Sequence, residues 1–248
     1  MHAVGIVAAA GSGLRLGADQ PKALVPLSGR PLVCWAVDTL RAGGVAQVVV
    51  AVPASDREAF AAVLGSGVLL IDGGATRTAS VRAALAVVGD ADAVLVHDAA
   101  RPLTPPDVVA RVLSALAAGA PAVVPVLPVV DTVVVVEGEE ITDAVPRATL
   151  RRVQTPQGFD RATLVAAYAA LDDDAEFTDD AAVVRAAGHP VTTVAGDERA
   201  AKVTVAHDLA LAELIARTTG ERASPQAGGT SRLRGTATEE RNEPGVEP

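Results

Sequence analysis

The sequence predicts an α/β protein of three layers, in which helices cover both faces of an open, mostly parallel, doubly wound β-sheet. Strand-like and helix-like segments alternate from the first residues onward, which is typical of this class. The predicted strands are apolar runs without polar alternation, and such strands indicate a sheet that is buried on both faces. Right-handed crossovers between such strands give an open, mostly parallel sheet. Ligands of these sheets bind beyond the carboxyl ends of the strands. Motifs that follow a strand are therefore the candidates for a functional site.

The alternation begins with Val4 to Ala8, an apolar run that predicts a buried strand. A glycine-bearing loop follows it, and helical spacing of apolar residues then takes turns with runs of β-branched residues. The remaining predicted elements of the first half are, in order, a helix over 31–42, a strand over 48–52, a helix over 56–64, a strand over 68–71, a helix over 77–87 and a strand over 93–97. Together they predict repeated βαβ units.

Residues 131–147 interrupt this alternation and predict a projecting β-hairpin arm with its turn at Gly138. A lone hairpin is marginally stable in water, so the apolar run Val133 to Val136 needs a surface to pack against. A second copy of the protein would supply that surface, which predicts a homodimer formed through the arm. An arm that packs on its own domain would explain the same run.

Residues 1–217 predict one domain, and residues 218–248 predict a disordered C-terminal tail. The domain closes with an amphipathic helix over 208–216. The tail is rich in Gly, Ser, Thr, Pro, Glu and Arg, and its only large aliphatic residues are Leu233 and Val246. So few apolar side chains bury too little surface to offset the entropy lost on ordering.

The composition excludes several classes of partner. A net charge of −9 argues against nucleic acid, because phosphate backbones are held by surfaces rich in lysine and arginine. The chain opens without a basic leader, and no apolar run reaches about 20 residues, so we expect no membrane insertion. The sole cysteine, Cys34, allows no intrachain disulfide and indicates a reducing, cytoplasmic location.

Of the 21 basic residues only Lys22 and Lys202 are lysines, and each lies in a short motif. An ammonium is a compact point charge that suits phosphate oxygens, whereas a guanidinium is a planar fork. Lys22 follows the loop A-A-A-G-S-G-L-R-L-G at Ala8 to Gly17, in which small residues let backbone amides approach an anion and Arg15 adds a second cation. The loop matches neither the ATPase phosphate loop nor the dinucleotide fingerprint. The alternative is that the two lysines lie near these motifs by chance, and that Lys202 is a solvated charge ahead of a helix.

Two further motifs follow predicted strands. Gly73 and Gly74 expose backbone ahead of a helix, and Ser80 can hydrogen-bond the edge of a nucleobase. A plain strand-to-helix turn explains this segment nearly as well. Asp98 ends another strand, where it can meet Mg²⁺ or substrate, since Mg²⁺ takes one or two carboxylates together with phosphate oxygens. A salt bridge between Asp98 and Arg101 within the turn is the alternative.

Together these segments resemble the 2-C-methyl-D-erythritol 4-phosphate cytidylyltransferase family, over about residues 3 to 217. The resemblance rests on seven segments in the family's order. They are A-A-G-S-G-L-R-L with P-K, G-G-A-T-R-T-A-S-V, V-H-D-A-A-R-P, D-T-V, Q-T-P-Q-G-F, T-D-D-A and K-V-T. The resemblance implies a Rossmann-like, three-layer nucleotidyltransferase fold. It also implies in-line transfer of CMP from CTP to methylerythritol phosphate, with release of pyrophosphate.

The resemblance further implies a role for each motif residue. By this resemblance, the catalytic cations around the triphosphate are Arg15, Lys22 and Lys202. It places around CTP the residues Ala9, Ala10, Gly11, Gly73, Gly74, Ser80 and Ala99. It gives to the methylerythritol phosphate Asp98, Arg101, Thr132, Arg147 and Thr155, of which Thr132 and Arg147 come from the arm of a second copy. The implied cofactor is Mg²⁺ or another divalent cation, held mainly by the CTP phosphates with Asp98 as the protein ligand.

Two positions depart from the family pattern. Ala75 stands where some relatives carry an acidic residue beside the base, so backbone amides must read cytidine there. Pro146 precedes Arg147 where relatives can carry aspartate. We expect no fused cyclodiphosphate synthase domain of the kind that bifunctional relatives carry. Three alternatives stay open: ribitol 5-phosphate or another sugar phosphate as acceptor, a molybdenum-cofactor guanylyltransferase, and a catalytically silent nucleotide-binding regulator.

Overall fold

The structure, a computed structural model, describes residues 1–11, 20–172, 175 and 177–223. The strands are β1 (Ala3–Ala8), β2 (Pro26–Leu27), β3 (Arg30–Pro31), β4 (Gln47–Val52), β5 (Leu69–Asp72), β6 (Ala93–Asp98), β7 (Ala122–Pro128), β8 (Val133–Glu137), β9 (Glu140–Val145), β10 (Arg151–Val153), β11 (Gln157–Asp160) and β12 (Thr192–Ala195). The α-helices are α1 (Leu32–Ala42), α2 (Arg57–Leu64), α3 (Arg77–Leu85), α4 (Pro106–Ala117), α5 (Arg161–Ala169), α6 (Asp180–Ala186) and α7 (Ala206–Ala223).

Seven strands form the path of the main sheet, in the order β10, β7, β11, β6, β1, β4 and β5, and β12 pairs with β7 off this path. The pairs β1–β4, β1–β6, β4–β5 and β7–β12 are parallel. By contrast, β10 and β11 run antiparallel to their neighbours. The predicted mostly parallel, doubly wound sheet is therefore confirmed, with two reversed strands that the sequence analysis did not foresee.

Two apolar clusters lie one on each face of the sheet, which confirms the three predicted layers. Val7 and Leu95 belong to the cluster that contains α1 and α4. Ile6 and Val96 belong to the cluster that contains α3, α5 and α6. Because successive side chains of a strand point to opposite faces, strands that are apolar at every position require helices on both sides. Each fully buried aliphatic side chain contributes about 1.5–3 kcal/mol.

The helices pack closely on the reversed strand β11. A Cβ added to Gly158 would stand 2.3 Å from Cγ1 of Val112 on α4. No side chain fits such a separation, so the glycine is what lets α4 approach the sheet.

Polar side chains fix where two helices beside the functional site begin. The side chain of Thr76 accepts the N–H of Ala79 at 3.1 Å, and α3 starts at Arg77. The side chain of Asp179 accepts the N–H of Ala182 at 2.8 Å, and α6 starts at Asp180. These caps satisfy amides that the first helical turn leaves unpaired. They thereby set the positions of the first residues of α3 and α6.

The predicted arm is a hairpin of β8 and β9, which form a two-stranded sheet of their own. Its turn contains Gly138 with φ of +63°, a conformation that glycine adopts without steric cost. Val136 and Ile141 on the arm are 52% and 69% exposed. The arm thus presents apolar side chains that its own domain does not cover, and its role in a dimer stays a prediction.

The last described element, α7, packs on the β2–β3 segment through an apolar cluster that includes Leu27 and Ala212. It is longer than the predicted helix over 208–216, and the predicted domain boundary after residue 217 falls inside it. The remainder of the predicted tail, residues 224–248, lies outside the described residues. Within the described part of the chain, none of the helices has the length and apolar character needed to cross a membrane.

Candidate active site

A cavity of about 440 Å³ opens at the carboxyl ends of β1 and β6. Ala8 of β1 and Asp98 of β6 stand opposite each other in parallel register. The predicted site residues that line this cavity are Ala9, Ala10, Gly11, Lys22, Gly74, Ser80, Asp98, Ala99 and Lys202. The strand order reverses between β1 and β6, and ligands of open α/β sheets bind in the crevice at such a switch point. The cavity therefore has the position that the sequence analysis assigned to the site.

The loop after β1 forms one wall of the cavity. The backbone N–H of Ala9 donates to the carbonyl of Ala51 at 2.9 Å, which extends the strand pairing by one residue. Among the described residues, no atom beyond its chain neighbours lies within 4 Å of the position that a Cβ on Gly11 would take. Lys22 begins a 3-10 helix and lines the cavity. The predicted cation Arg15 lies outside the described residues.

The loop after β5 forms the opposite wall and is held by Ser80. The Ser80 hydroxyl accepts the N–H of Gly74 at 3.0 Å and donates to the carbonyl of Thr76 at 2.9 Å. A Cβ on Gly73 would stand 2.7 Å from Cβ of Ala10, so the two glycine-bearing loops touch. Gly73 does not itself line the cavity. The hydroxyl of Ser80 thus shapes the loop, and its predicted contact with a nucleobase stays a prediction.

A carboxylate surrounded by cations forms the floor of the cavity. The carboxylate of Asp98 lies 2.8 Å from Nζ of Lys202, 3.3 Å from Nε of Arg77 and 3.8 Å from Nε of Arg101. Burial opposes ionisation of Asp98, yet the charges of Arg77, Lys202 and Arg101 outweigh it and hold the pKa of this carboxyl well below its usual range. Asp98 is therefore ionised near pH 7. The pair of Asp98 with Arg101, given above as the alternative for this motif, is one of three ion pairs that the described residues form at this carboxylate.

Arg77 is a cavity residue that the sequence analysis missed. Its Nη2 lies 2.7 Å from Oδ2 of Asp180, and the Tyr168 hydroxyl donates to Oδ1 of Asp180 at 2.6 Å. Burial opposes the charge of Arg77, but Asp180 and Asp98 outweigh it and raise the pKa of the guanidinium. Both ends of the Arg77–Asp180 pair lie in quoted segments, G-G-A-T-R and T-D-D-A. An arginine that follows a glycine pair at a strand end was the available signal.

Arg101 and Thr155 lie behind Asp98 and do not line the cavity. Arg101 donates to the backbone carbonyls of Ala200 and Val153 at 2.7 and 3.1 Å. The hydroxyl oxygen of Thr155 accepts the backbone N–H of Asp98 at 3.1 Å. Both side chains thus fix the segment that carries Asp98. Their predicted contact with the acceptor substrate stays a prediction.

His97 is fully buried beside Thr155. Its Nδ1 lies 2.9 Å from Oγ1 of Thr155. Burial lowers the pKa of His97 to about 4, with the charge of Asp98 opposing the shift and the charge of Arg101 adding to it. The imidazole is therefore neutral near pH 7 and stands outside the cavity wall.

Thr132 and Arg147 belong to the arm, and both are exposed. Nη1 of Arg147 donates to the carbonyl of Val130 at 2.6 Å. Neither residue lines the cavity of its own chain. The prediction that they reach the cavity of a second copy stays a prediction.

An open α/β sheet with two contacting glycine-bearing loops, and with both lysines of the chain in one cavity at its switch point, has the architecture of a nucleotidyltransferase. Comparison with known sequences supports this class. A family model described as 2-C-methyl-D-erythritol 4-phosphate cytidylyltransferase matches residues 3–218. The chain belongs to this family.

Individual relatives agree with the family match. A protein of this name from Saccharopolyspora erythraea is 53% identical over 224 residues, covering 87% of this chain and 99% of the relative. One from Nocardia farcinica is 52% identical over 216 residues, covering 86% of this chain and 93% of the relative. The crystal structure of the Thermus thermophilus enzyme of this name superposes with a TM-score of 0.72 at 41% identity, covering 88% of this chain and all of that one. The predicted nucleotidyltransferase fold and family are therefore confirmed.

Proposed function

We propose that this chain transfers the cytidylyl group of CTP to 2-C-methyl-D-erythritol 4-phosphate, giving 4-diphosphocytidyl-2-C-methyl-D-erythritol and pyrophosphate. The observation that carries the proposal is the arrangement of Lys22, Lys202 and Arg77 around one cavity at the switch point of the sheet. Triphosphate and phosphate monoester are both polyanions, and bringing them together requires fixed positive charge. Membership of the family supplies the identity of the two substrates.

The glycine-bearing loops are proposed to hold CTP. Gly74 and Ala75 line the cavity with exposed backbone, and neither has a side chain that could bond to cytosine. Backbone amides and carbonyls are then the groups that read the base. On the other wall the amides near Gly11 and the ammonium of Lys22 face the triphosphate. Arg15, which lies outside the described residues, is proposed as a further cation for the triphosphate.

The reaction is proposed to be an in-line displacement. A phosphate oxygen of the acceptor attacks the α-phosphorus of CTP, the new P–O bond forms, and the bond to the bridging oxygen of the β-phosphate breaks as pyrophosphate leaves. A phosphate monoester is largely dianionic near pH 7, its second pKa being about 6, so the attacking oxygen needs no general base. Lys22 and Lys202 offset the charge that gathers on the leaving group. Catalysis then consists of positioning and neutralisation.

The acceptor is proposed to bind on the Asp98 side of the cavity, and a second copy is proposed to complete its site. Asp98 and Lys202 form the part of that wall that one chain supplies. The exposed apolar residues of the arm would gain a partner surface in a homodimer, because a two-stranded hairpin is marginally stable by itself. Thr132 and Arg147 would then approach the phosphate of the acceptor bound to the other copy.

Magnesium is the proposed cofactor. Across the described residues no group of three or more His, Cys, Asp or Glu side chains could hold a metal ion. The one carboxylate among the described residues of the cavity wall is the ionised Asp98. This donor set fits Mg²⁺ held mainly by phosphate oxygens and water, with Asp98 as a single protein ligand. When bound, the ion supplies charge neutralisation to the triphosphate.

Pyrophosphate release tests the proposal. The full chain is incubated with CTP and methylerythritol phosphate, with and without Mg²⁺, and a metal chelator serves as the control. Parallel reactions replace the acceptor with ribitol 5-phosphate and replace CTP with ATP, GTP or UTP. We expect release only with CTP and methylerythritol phosphate in the presence of a divalent cation. Release with ribitol 5-phosphate alone would keep the chemistry and replace the acceptor, and silence in every reaction would contradict the proposed activity.

A further inference from the structure

We propose that Arg77 is a positioning residue for this reaction, because it holds Asp98, and through Asp98 the ammonium of Lys202, in place at the floor of the cavity. The inference rests on the proposed function of that cavity. It concerns a guanidinium that bridges two carboxylates, one in the cavity wall and one fully buried behind it.

Contacts run without a gap from the protein interior to the cavity. The hydroxyl of Tyr168 on α5 donates to Asp180 at 2.6 Å, and Asp180 at the start of α6 lies 2.7 Å from Nη2 of Arg77. Nε of Arg77 lies 3.3 Å from Oδ1 of Asp98, whose Oδ2 lies 2.8 Å from Nζ of Lys202. Four elements and the segment before α7 therefore meet through five side chains. A displacement of Arg77 must disturb the carboxylate that contacts Lys202.

Asp180, at the interior end of these contacts, is rigidly held. Asp180 is 0% exposed, and a buried carboxylate persists as an ion only when it is paired and hydrogen-bonded. The amide of Gln157 on β11 donates to Asp179 at 3.1 Å and accepts the N–H of Ala181 at 2.9 Å. These bonds fasten the start of α6 to the sheet. Asp180 therefore gives Arg77 a fixed anchor before any substrate binds.

The three cations at Asp98 differ in how firmly they are held. Arg101 is bound to two backbone carbonyls, and Arg77 is bound to Asp180. The side chain of Lys202 is 45% exposed, against 25% for Arg77 and 13% for Arg101. Two fixed guanidinium groups thus orient Asp98 from the protein side, and Asp98 presents its second oxygen to the exposed ammonium. A planar fork serves two carboxylates at once, which a lysine at position 77 does not reproduce.

Charge balance gives a test that separates positioning from folding. The substitution Arg77→Gln alone leaves Asp180 buried without its cation, so we expect a large loss of stability. Adding Asp180→Asn removes that unpaired charge, and the double variant R77Q/D180N should regain most of the lost thermal stability. It still lacks the contact of Arg77 with Asp98, which keeps its ion pairs with Lys202 and Arg101. We therefore expect kcat of the double variant to fall on the order of tenfold or more, with KM for CTP within about threefold of the wild-type value.

Two further variants keep the test decisive. Arg77→Lys retains the positive charge but not the planar guanidinium, so we expect a reduced kcat in a stably folded protein. If the double variant does not fold, this variant alone tests the positioning role of Arg77. Arg82→Gln is the matched control on the same helix, because Arg82 donates to the carbonyls of Leu171 and Asp172, away from Asp98. It should lower stability and leave kcat unchanged.

Wild-type kinetics in folded R77Q/D180N, or in R77K, would overturn the positioning role and reduce Arg77 to a partner for buried charge. Failure of the wild-type chain to release pyrophosphate in the same assay would instead contradict the proposed function. The two failures are therefore distinguishable.

Discussion

Nζ of Lys202 lies 2.8 Å from Oδ2 of Asp98, so this lysine is already held at the cavity before any anion arrives. The opposite charge keeps Asp98 ionised, and Asp98 in turn restricts where the ammonium can lie. A phosphate that enters the cavity competes with the carboxylate for this ammonium. Preplaced charge of this kind costs little reorganisation when a transition state forms.

Replacing Lys22 with alanine should lower kcat by about 100-fold or more with a smaller effect on KM, because an electrostatic donor acts mainly on the charge that develops in the transition state. Steady-state kinetics with CTP and methylerythritol phosphate measure the separate effects on kcat and KM. Lys22→Arg, which retains the charge but not its compact shape, should recover part of the loss. A Lys22→Ala variant within about threefold of the wild-type kcat would remove Lys22 from the catalytic set.

Replacing Arg147 with alanine should raise KM for methylerythritol phosphate and spare CTP binding, since the arm is proposed to serve the acceptor of a second copy. A mixture of Arg147→Ala and Lys22→Ala chains provides a sharper measurement. In an equal mixture, random association makes about half of the dimers mixed, and each mixed dimer has one site in which an intact arm meets an intact cavity. Activity should therefore return to about a quarter of the wild-type value. A mixture no more active than its components would contradict an arm shared between copies.

Replacing Gly74 with alanine should raise KM for CTP on the order of tenfold, because overpacking at a close contact displaces the backbone. A Cβ at this position would stand 2.4 Å from Cβ of Ala79. The loop would have to move relative to α3. KM for the acceptor serves as the internal control and should not change. Equal increases in both KM values would show that the loop does not act on CTP alone.

The burial of His97 should make stability depend on pH. Its folded-state pKa of about 4 lies below the ordinary value of 6.5. Between these two pH values the unfolded chain binds a proton that the folded protein does not, so stability falls as pH falls from 6.5 towards 4, by on the order of 3 kcal/mol in total. Well above pH 6.5 the imidazole is neutral in both states and contributes no slope.

The variant His97→Asn removes the titrating group while it keeps an amide where Nδ1 contacts Thr155. Denaturation measured from pH 4.5 to 7 should show a shallower decline for the variant than for the wild type, whatever its absolute stability. Parallel curves for the two proteins would mean that His97 titrates alike in the folded and unfolded states.

The local parts of the fold were predictable because their signals are local. The strand predicted from Val4 to Ala8 is observed as Ala3–Ala8, and the helix predicted over 31–42 is observed as Leu32–Ala42. Apolar periodicity and the flanking glycines are sufficient for such segments. The helix predicted over 77–87 ends at Leu85 instead. Apolar residues continue its pattern beyond the end, so periodicity alone overextends the helix.

The reversed strand β11 and the partners of Arg77 were not predictable from local patterns. β11 is only four residues long and contains Gly158, so its alternation is too short to distinguish a strand from a turn. Arg77 meets Asp180 because α3 and α6 cover the same face of the sheet. That meeting depends on the strand order, which spacing along the chain does not determine. The cavity residues Ala9 and Ala99, which the sequence did single out, stand directly after β1 and β6, where the topology leaves few choices.

Both lysine side chains of this chain line a single cavity. Apart from the α-amino group, every primary amine of the protein therefore belongs to a residue that lines this cavity. Reagents that acylate or methylate lysine side chains, and supports that react with them, therefore act on this cavity. Labels for this protein are better directed to its carboxylates, because its single cysteine, Cys34, is buried. The same amine reagents offer a direct count of accessible cavity lysines in the presence and absence of nucleotide.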